Sequence, residues 1–191
     1  MVQRWKICVY SASSKDVDSI YLDAAFALGE ALARTGRTGI YGAGRQGLMG
    51  QFADGLLHAG GKVTGIIPDF MVERGWNHKG LTELIVTPTI HERKALMAKM
   101  ADAVVALPGG CGTLEELLEI ITWKQLGLFT KPIIIFNVNG YYNNLIAMLD
   151  TAVKGSFMKA SHSALWSVAN TLSEVLSLLD TLPDFEAEDK Y

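Results

Sequence analysis

The chain has 191 residues, of which 49% are hydrophobic and 19% are charged, a composition typical of one globular domain with a sizeable core. The net charge is −3 without a basic tract, which argues against a nucleic-acid partner, and no apolar run reaches the roughly 18 residues of a membrane span. The N-terminus lacks a signal-peptide core, and Cys8 and Cys111 form neither a disulfide framework nor a metal-binding spacing. We therefore expect a reduced, cytoplasmic protein with a single domain over residues 1–191, no metal and no membrane partner.

Short apolar runs alternate with amphipathic segments along the whole chain. The apolar runs predict strands at 6–11, 38–41, 62–67, 84–86, 103–107, 133–136 and 164–168. The amphipathic segments predict helices at 18–35, 48–58, 90–100, from 113 onward, at 141–154 and at 171–179, and residues 181–191 read as a frayed tail. This alternation predicts an α/β fold that is Rossmann-like and doubly wound, with a mostly parallel sheet and helices on both faces.

The first half of the chain contains two features typical of ligand sites. Ser11 follows the first strand, at the carboxyl end where parallel sheets bind ligands. After the second strand, Gly42-x-Gly44-x-x-Gly47 matches a dinucleotide-binding fingerprint, and Asp69 lies near the spacing of a ribose-binding acid. Because the pattern follows the second strand rather than the first, we favour a second glycine loop that lines a mononucleotide site.

The helix at 90–100 carries an arginine on its predicted inner face. At about 100° per residue, Arg93 falls among Leu96, Met97 and Met100, while Lys94 lies one step around the helix. A guanidinium on an apolar face is costly without an anionic partner. We favour a ligand-facing role for Arg93, with a structural ion pair as the alternative.

The segment AVVALPGGCGTLEELLE at 103–119 carries the strongest signal. A buried strand runs through a Pro-Gly-Gly turn into a helix that opens at Thr113. Glycines let backbone N–H groups close on a ligand, and a helix N-terminus carries partial positive charge, so this geometry favours a phosphate. The alternative is an ordinary tight turn in which Thr113 and Glu116 form a capping box.

The helix that opens at Thr113 has two apolar sides. One comprises Leu114, Leu117, Leu118 and Ile121, and the other comprises Ile120 and Trp123. Because a helix that flanks a sheet needs only one such stripe, the second predicts a neighbouring helix or a second subunit, and we favour a homodimer with the site near its interface. The loop at 156–162 is predicted to cover the site.

Three segments together resemble the LOG family over residues 6–179: YGAGRQGLMG at 41–50, HERKA at 91–95 and PGGCGTLEE at 108–116. Its members are cytokinin-activating phosphoribohydrolases, also labelled lysine decarboxylases. The resemblance implies a Rossmann-like homodimer that cleaves the N-glycosidic bond of a nucleoside 5′-monophosphate, either AMP or an N6-modified adenosine monophosphate. The products would be free base and ribose 5-phosphate. The decarboxylase label does not fit the sequence, because that reaction usually needs pyridoxal phosphate on a lysine, and nothing in the sequence marks such a lysine. We expect no cofactor.

Family membership would make Arg93 and Glu116 the catalytic pair. The residues expected at the nucleotide are Lys94, Gly109, Gly110, Cys111, Gly112, Thr113, Leu114, Glu115 and Thr122, together with Ser11, Gly42 and Gly44. The chain departs from the family at Gly75, where members often have an acidic residue that is thought to lie near the base. Cys111 stands where an aromatic residue is common, and we interpret it as a spacer.

Breaking a ribosyl C–N bond builds positive charge on the sugar, which a nearby carboxylate stabilises. Glu116 lies in the first helical turn, whereas Glu115 points about 100° away and Glu119 is positioned for a ribose hydroxyl. Arg93 would clamp the phosphate or hold Glu116 ionised. Two other functions remain open: a nucleotide-binding carrier without hydrolysis, and an NAD-dependent oxidoreductase that uses the loop at 42–47.

Overall fold

The computed structural model describes residues 6–185, in which seven strands form one sheet with every neighbouring pair parallel. The strand order is β4-β3-β2-β1-β5-β6-β7. The strands are β1 (Lys6–Tyr10), β2 (Thr38–Tyr41), β3 (Val63–Pro68), β4 (Glu83–Thr87), β5 (Ala103–Ala106), β6 (Ile133–Phe136) and β7 (Ser167–Ala169).

Within residues 6–185, seven α-helices connect or follow the strands. They are α1 (Ser19–Arg34), α2 (Gly47–His58), α3 (Asp69–Glu73), α4 (Ile90–Met100), α5 (Cys111–Gln125), α6 (Asn143–Lys154) and α7 (Leu172–Thr181). Side chains cap three of them, because the oxygens of Asp18, Thr89 and Thr171 accept backbone N–H groups at the starts of α1, α4 and α7. The predicted alternation of strands and helices is thus confirmed.

The helices bury the sheet from both sides, as predicted for a doubly wound fold. On one face, α1, α2 and α7 pack over alternate strand residues such as Ile7 and Val105. On the other face, α4, α5 and α6 cover the intervening residues, such as Cys8 and Val104. Successive side chains of β1 and β5 therefore point alternately into two separate hydrophobic cores.

The strand order reverses beside β1, since β2, β3 and β4 lie to one side of it and β5, β6 and β7 to the other. Open α/β sheets bind ligands in the crevice at such a switch point, outside the carboxyl ends of the strands. Here the ends of β1 and β5 are tied together: Leu107 N donates to Tyr10 O at 2.9 Å, and Ala12 N donates to Pro108 O at 3.1 Å. Ser11 therefore lies beside the Pro-Gly-Gly turn.

The structure corrects several details of the sequence prediction. Helix α5 begins at Cys111, and it buries Leu117 with Ile120 and Ile121, whereas Leu118 is 41% exposed. The last strand begins at Ser167, because residues 160–164 form a 3₁₀ turn.

The predicted tail at 181–191 is described only in part. Helix α7 extends to Thr181. Beyond it, Phe185 N donates to Thr130 O at 2.6 Å, and Lys131 pairs with Asp184 at 2.6 Å. Residues 182–185 therefore lie against the loop before β6. Residues 186–191 of the predicted tail lie outside the described residues.

Candidate active site

The first turn of α5 is open towards the switch point. Its N-cap is Gly110, which has no side chain to satisfy the free N–H groups of that turn. Thr113 is the third helical residue and packs beneath Gly109, where an added Cβ would overlap its Oγ1. The capping-box alternative is therefore wrong, because Thr113 lies inside the helix and the Glu116 carboxylate is engaged with another residue.

Two glycines of this turn border open space. A Cβ built on Gly110 or Gly112 meets no protein atom within 4 Å, and neither residue has a positive φ. Nothing within residues 6–185 therefore requires glycine at these positions. The open space, the N–H groups of the first turn and the positive end of the helix together suit an anion such as a phosphate.

Arg93 and Glu116 form an ion pair beside this turn. Arg93 Nη2 lies 2.6 Å from Glu116 Oε1, and the two side chains are only 12% and 11% exposed. The Arg93 Nε is buried without a hydrogen-bond partner in the described part of the chain. An added Cβ at Gly42 would overlap Arg93 Nη2, so glycine at position 42 leaves room for the guanidinium. The structure thus brings the predicted catalytic pair together.

The surroundings of Glu116 oppose its ionisation. Burial raises the pKa of the Glu116 carboxyl, although the positive charge of Arg93 acts in the opposite direction. Burial also raises the pKa of Cys8 and of Tyr10 far above the usual range, and the negative charge of Glu116 adds to both shifts. The thiol and the phenol on β1 therefore stay protonated next to this carboxylate.

Lys94 faces α5 rather than the open turn. Its ammonium pairs with Glu115 and lies 3.0 Å from Glu119, and its side chain is 7% exposed. Burial would lower the pKa of Lys94, but the hydrogen bonds to both carboxylates outweigh that cost and leave the pKa raised. Lys94 and Glu115, which were expected at the nucleotide, are thus tied together with Glu119 across the α4–α5 contact.

The loop at 42–47 is filled by the chain itself. Met49 Sδ lies 2.8 Å from a Cβ built on Gly44, and a Cβ on Gly47 would overlap Ser14 O. Gly47 also has a φ of 61°, which favours glycine. Asp69, the residue considered for a ribose contact, accepts a hydrogen bond from the neighbouring Phe70 N at 2.6 Å. These contacts favour a packing role for the loop over dinucleotide binding.

Ser11 supplies an unpaired hydroxyl at the switch point. Its Oγ is buried and has no hydrogen-bond partner among residues 6–185, and the residue as a whole is 8% exposed. A buried hydroxyl without a partner is costly, which favours a ligand that completes it. Cys111 is exposed in the turn itself, consistent with a spacer position.

Thr122 and the loop at 156–162 lie far from the glycine turn of their own chain. Thr122 follows Thr113 by nine residues, about 14 Å along the helix, and its Oγ1 donates to Leu118 O at 2.8 Å. The loop lines a cavity of about 200 Å³ with Gln125 and Phe185, at the opposite end of α5. The loop therefore does not cover the turn, and that prediction is wrong.

Two other predicted positions are explained by local geometry. Leu114 is half-buried one residue after Thr113, and its N–H donates to Gly110 O at 3.0 Å. Gly75 has a φ of 70° with open space around it, so the backbone there favours glycine over a side chain. The departure at Gly75 is therefore compatible with the turn that follows α3.

Two tyrosines that the sequence analysis did not assign to the site support the glycine turn. Tyr141 Oη donates to Gly109 O at 2.8 Å, and Tyr142 Oη donates to Leu107 O at 2.7 Å. The available signal was the segment NVNGYYNN at 137–144, in which polar and glycine residues directly follow a buried strand.

Between residues 6 and 185, no helix combines the length and the apolar character needed to cross a bilayer. Over the same residues, no three His, Cys, Asp or Glu side chains gather in a way that would hold a metal ion.

Comparison with known proteins gives the family of the chain. The family model described as "Possible lysine decarboxylase" matches residues 49–179. Cytokinin riboside 5′-monophosphate phosphoribohydrolase LOG3 of Arabidopsis thaliana is 42% identical over 175 residues, which cover 92% of this chain and 81% of that protein. Cytokinin riboside 5′-monophosphate phosphoribohydrolase LOG of Oryza sativa subsp. japonica is 41% identical over 182 residues, which cover 95% and 75% of the two chains.

Solved structures share the fold at lower identity. The molybdenum cofactor carrier protein of Chlamydomonas reinhardtii superposes with a TM-score of 0.72 at 21% identity, over 93% of this chain and 97% of that one. At this identity the likeness extends to the fold alone. The sequence matches go further, and they show that the chain belongs to the LOG family, to which the possible lysine decarboxylase model corresponds.

Proposed function

We propose that this protein hydrolyses the N-glycosidic bond of AMP or of N6-modified adenosine 5′-monophosphates. The relatives named cytokinin riboside 5′-monophosphate phosphoribohydrolases support this activity through 40–42% identity over most of the chain. The structural observation that carries the proposal is a buried carboxylate, Glu116, held by Arg93 one helical turn from an open helix N-terminus.

The phosphate of the substrate binds at the first turn of α5. The N–H groups of Cys111, Gly112 and Thr113 donate to its oxygens, and the helix dipole adds to the attraction. The unpaired hydroxyl of Ser11 completes the contacts from the β1 side. Open space at Gly110 and Gly112 allows the phosphate to approach the backbone closely.

This anchoring places the ribose beside Glu116. As the C1′–N9 bond breaks, its electron pair leaves with the base, and positive charge develops at C1′ and the ring oxygen. The ionised Glu116 stabilises that charge. A water molecule adds its oxygen to C1′, and the base takes up one proton, so that free base and ribose 5-phosphate result.

Arg93 keeps the carboxylate charged and aimed. Of the two roles that the sequence left open, the 2.6 Å contact supports the pairing with Glu116 over a phosphate clamp. The contact occupies one carboxylate oxygen and leaves the other to face the sugar. Because burial alone raises the pKa of Glu116, the guanidinium offsets part of that cost.

The oligomeric state and the location belong to the same proposal. Leu118 and Leu126 are 41% and 42% exposed on one side of α5, with Thr122 between them, and this stripe supports a homodimer in which a second copy covers α5. Cys8 and Cys111 are both free cysteines, and the proposed substrate is a nucleotide. Both features favour the cytoplasm.

The two other candidate functions have less support. A carrier without hydrolysis would not need a buried carboxylate beside the phosphate site. An NAD-dependent oxidoreductase would need an open loop at 42–47, where Arg93, Met49 and Ser14 fill the space over the glycines.

Incubation of the purified protein with AMP and with isopentenyladenosine monophosphate tests the proposal. We expect free adenine or free isopentenyladenine and ribose 5-phosphate in equal amounts, which chromatography and a reducing-sugar assay would detect. Tight AMP binding without base release over hours would instead favour the carrier. Quenching of the tryptophan fluorescence on titration with NADH would favour the oxidoreductase.

A further inference from the structure

Tyr141 contacts the glycine turn through a backbone carbonyl. Its Oη donates to Gly109 O at 2.8 Å. We infer that Tyr141 is a positioning residue that aims the Gly110 amide at the substrate phosphate, and that it thereby tunes the affinity of the site for phosphorylated ligands. The inference rests on the phosphate site of the proposed function but not on the hydrolysis.

The geometry of the peptide bond carries this inference. Residues 6–185 contain no cis peptide, and in a trans peptide the carbonyl and the following N–H point in opposite directions. A Gly109 carbonyl that points to Tyr141 therefore turns the Gly110 N–H away from the tyrosine. Gly110 itself borders open space, because a Cβ built on it would meet nothing within 4 Å.

The Gly110 amide is available to a ligand. Within residues 6–185, no backbone or side-chain acceptor takes its hydrogen. The Gly109–Gly110 pair has little intrinsic conformational preference, because glycine backbones rotate more freely than those of other residues. A hydrogen bond to the Gly109 carbonyl is thus an effective way to hold this peptide plane in one orientation before the ligand arrives.

Tyr141 is itself held in place. It follows a 3₁₀ turn, Val138–Gly140, in which Asn139 has a φ of 50° and Gly140 a φ of 71°. Asn137 fixes this turn, because its Oδ1 accepts the N–H of Tyr142 at 2.7 Å. The Tyr141 ring then packs edge-on against two other tyrosine rings, at centroid distances of 5.8 Å to Tyr21 and 5.0 Å to Tyr142.

The same Asn137 side chain links the turn to neighbouring elements. Its Nδ2 donates to Asn143 Oδ1 at 2.9 Å and to Asn170 Oδ1 at 3.1 Å, while its backbone N–H donates to Ala169 O at 2.7 Å. The position of the Tyr141 hydroxyl is thus set by the ends of β6 and β7. Although 44% exposed, Tyr141 is not a freely moving surface side chain.

The test is the Tyr141→Phe variant, which removes the hydroxyl and keeps the ring contacts. Isothermal titration would measure the affinities for ribose 5-phosphate, AMP and adenosine, none of which requires turnover. We expect about five-fold weaker binding of ribose 5-phosphate and AMP, the effect of one neutral hydrogen bond, and unchanged binding of adenosine. Tyr21→Phe is the matched control, because it removes a hydroxyl from the adjacent ring, and all three affinities should stay unchanged.

A rescue experiment separates positioning from a general loss of structure. 4-Aminophenylalanine incorporated at position 141 keeps a donor at the ring end and should recover most of the affinity for ribose 5-phosphate. Wild-type affinity of Tyr141→Phe for ribose 5-phosphate would overturn the inference, as would an equal loss for adenosine. If the unchanged protein binds ribose 5-phosphate but releases no base from AMP, hydrolysis fails while the role of Tyr141 is still measured.

Discussion

Replacement of Gly112 by alanine separates the requirements of the ligand from those of the fold. Gly112 is the second residue of α5, and a Cβ built on it meets no protein atom within 4 Å. Its φ is not positive, so alanine fits the backbone without strain. The only occupant that we assign to the space beside it is the phosphate of the substrate.

The expected effects on stability and on binding have opposite signs. Alanine lowers the entropy of the unfolded chain and favours the helix, which stabilises the fold by up to about 1 kcal/mol and raises the thermal midpoint by about 2–4 °C. A methyl group in the phosphate space separates the ligand from at least one backbone donor. A hydrogen bond to a charged group contributes about 1.5–3 kcal/mol, so KM for AMP should rise about 10- to 100-fold.

The assay pairs differential scanning fluorimetry with steady-state measurement of base release from AMP. Gly29→Ala is the matched control, because it makes the same chemical change in the contact between α1 and α2. There an added Cβ overlaps Phe52 O and lies 2.8 Å from Leu56 N, which are backbone atoms that cannot turn aside. We expect it to cost about 1–3 kcal/mol of stability and to leave the KM of the folded enzyme unchanged.

Two results would refute this reasoning. A Gly112→Ala enzyme with the wild-type KM for AMP would show that the space beside the first turn of α5 is not occupied by substrate. A Gly112→Ala enzyme that melts well below the wild type would show that the fold itself needs glycine there.

Three further predictions concern the charged side chains around the turn. Glu116→Gln and Arg93→Ala should each lower the rate of base release by at least about 100-fold. The circular dichroism spectrum of each variant should stay that of the folded protein. Normal turnover by either variant would remove that residue from the mechanism. Because catalysis needs the ionised carboxylate and the pKa of Glu116 is raised, kcat/KM should increase with pH above the ordinary carboxyl value of 4.5. Between 4.5 and the raised pKa, Glu116 holds more of its proton in the folded state than in the unfolded state, so its contribution to the free energy of unfolding should fall as pH rises. Glu116→Gln should abolish both trends. Lys94→Met should lower the free energy of unfolding in urea by about 1.5–3 kcal/mol, since Glu115 and Glu119 lose their shared partner. In the unchanged protein the contribution of Lys94 to the free energy of unfolding is present below its ordinary pKa of 10.5 and is lost as pH rises through the raised pKa. Equal stability of Lys94→Met and the wild type at neutral pH would contradict this stabilising role of Lys94.

The fold was predictable because most strands are short apolar runs bounded by a turn signal. Ala103–Ala106 and Ile133–Phe136 are fully buried strands in the interior of the sheet, where every residue must be apolar. The same rule misplaced the start of β7. Leu165 and Trp166 are both buried, but they follow a 3₁₀ turn and fill a core from outside the sheet. Burial can be predicted from hydrophobicity, whereas the backbone path that achieves it cannot.

The charged residues of α4 show where periodicity fails at the site. The pattern placed Arg93 on the inner face and Lys94 one step around the helix, yet Lys94 is the more buried of the two. Helix α4 packs against α5, whose Glu115 and Glu119 provide partners for an ammonium. The location of those partners depends on how two helices pack side by side on one face of the sheet, which is information that a single helix does not contain.

Both glycine motifs of this chain are typical of phosphate binding in the sequence, and their surroundings in the structure separate them. The motif at 42–47 matches a known fingerprint more closely, but its glycines make room for protein: the guanidinium of Arg93 at Gly42, Met49 at Gly44 and a backbone carbonyl at Gly47. In the turn after β5, Gly109 likewise makes room for the side chain of Thr113, while Gly110 and Gly112 border empty space. A glycine that no neighbouring atom requires is the stronger evidence for a ligand, because the reason for the missing side chain must then lie outside the chain. By this criterion we expect the phosphate to bind at α5. The first loop would contribute indirectly, by leaving room for the arginine that holds Glu116.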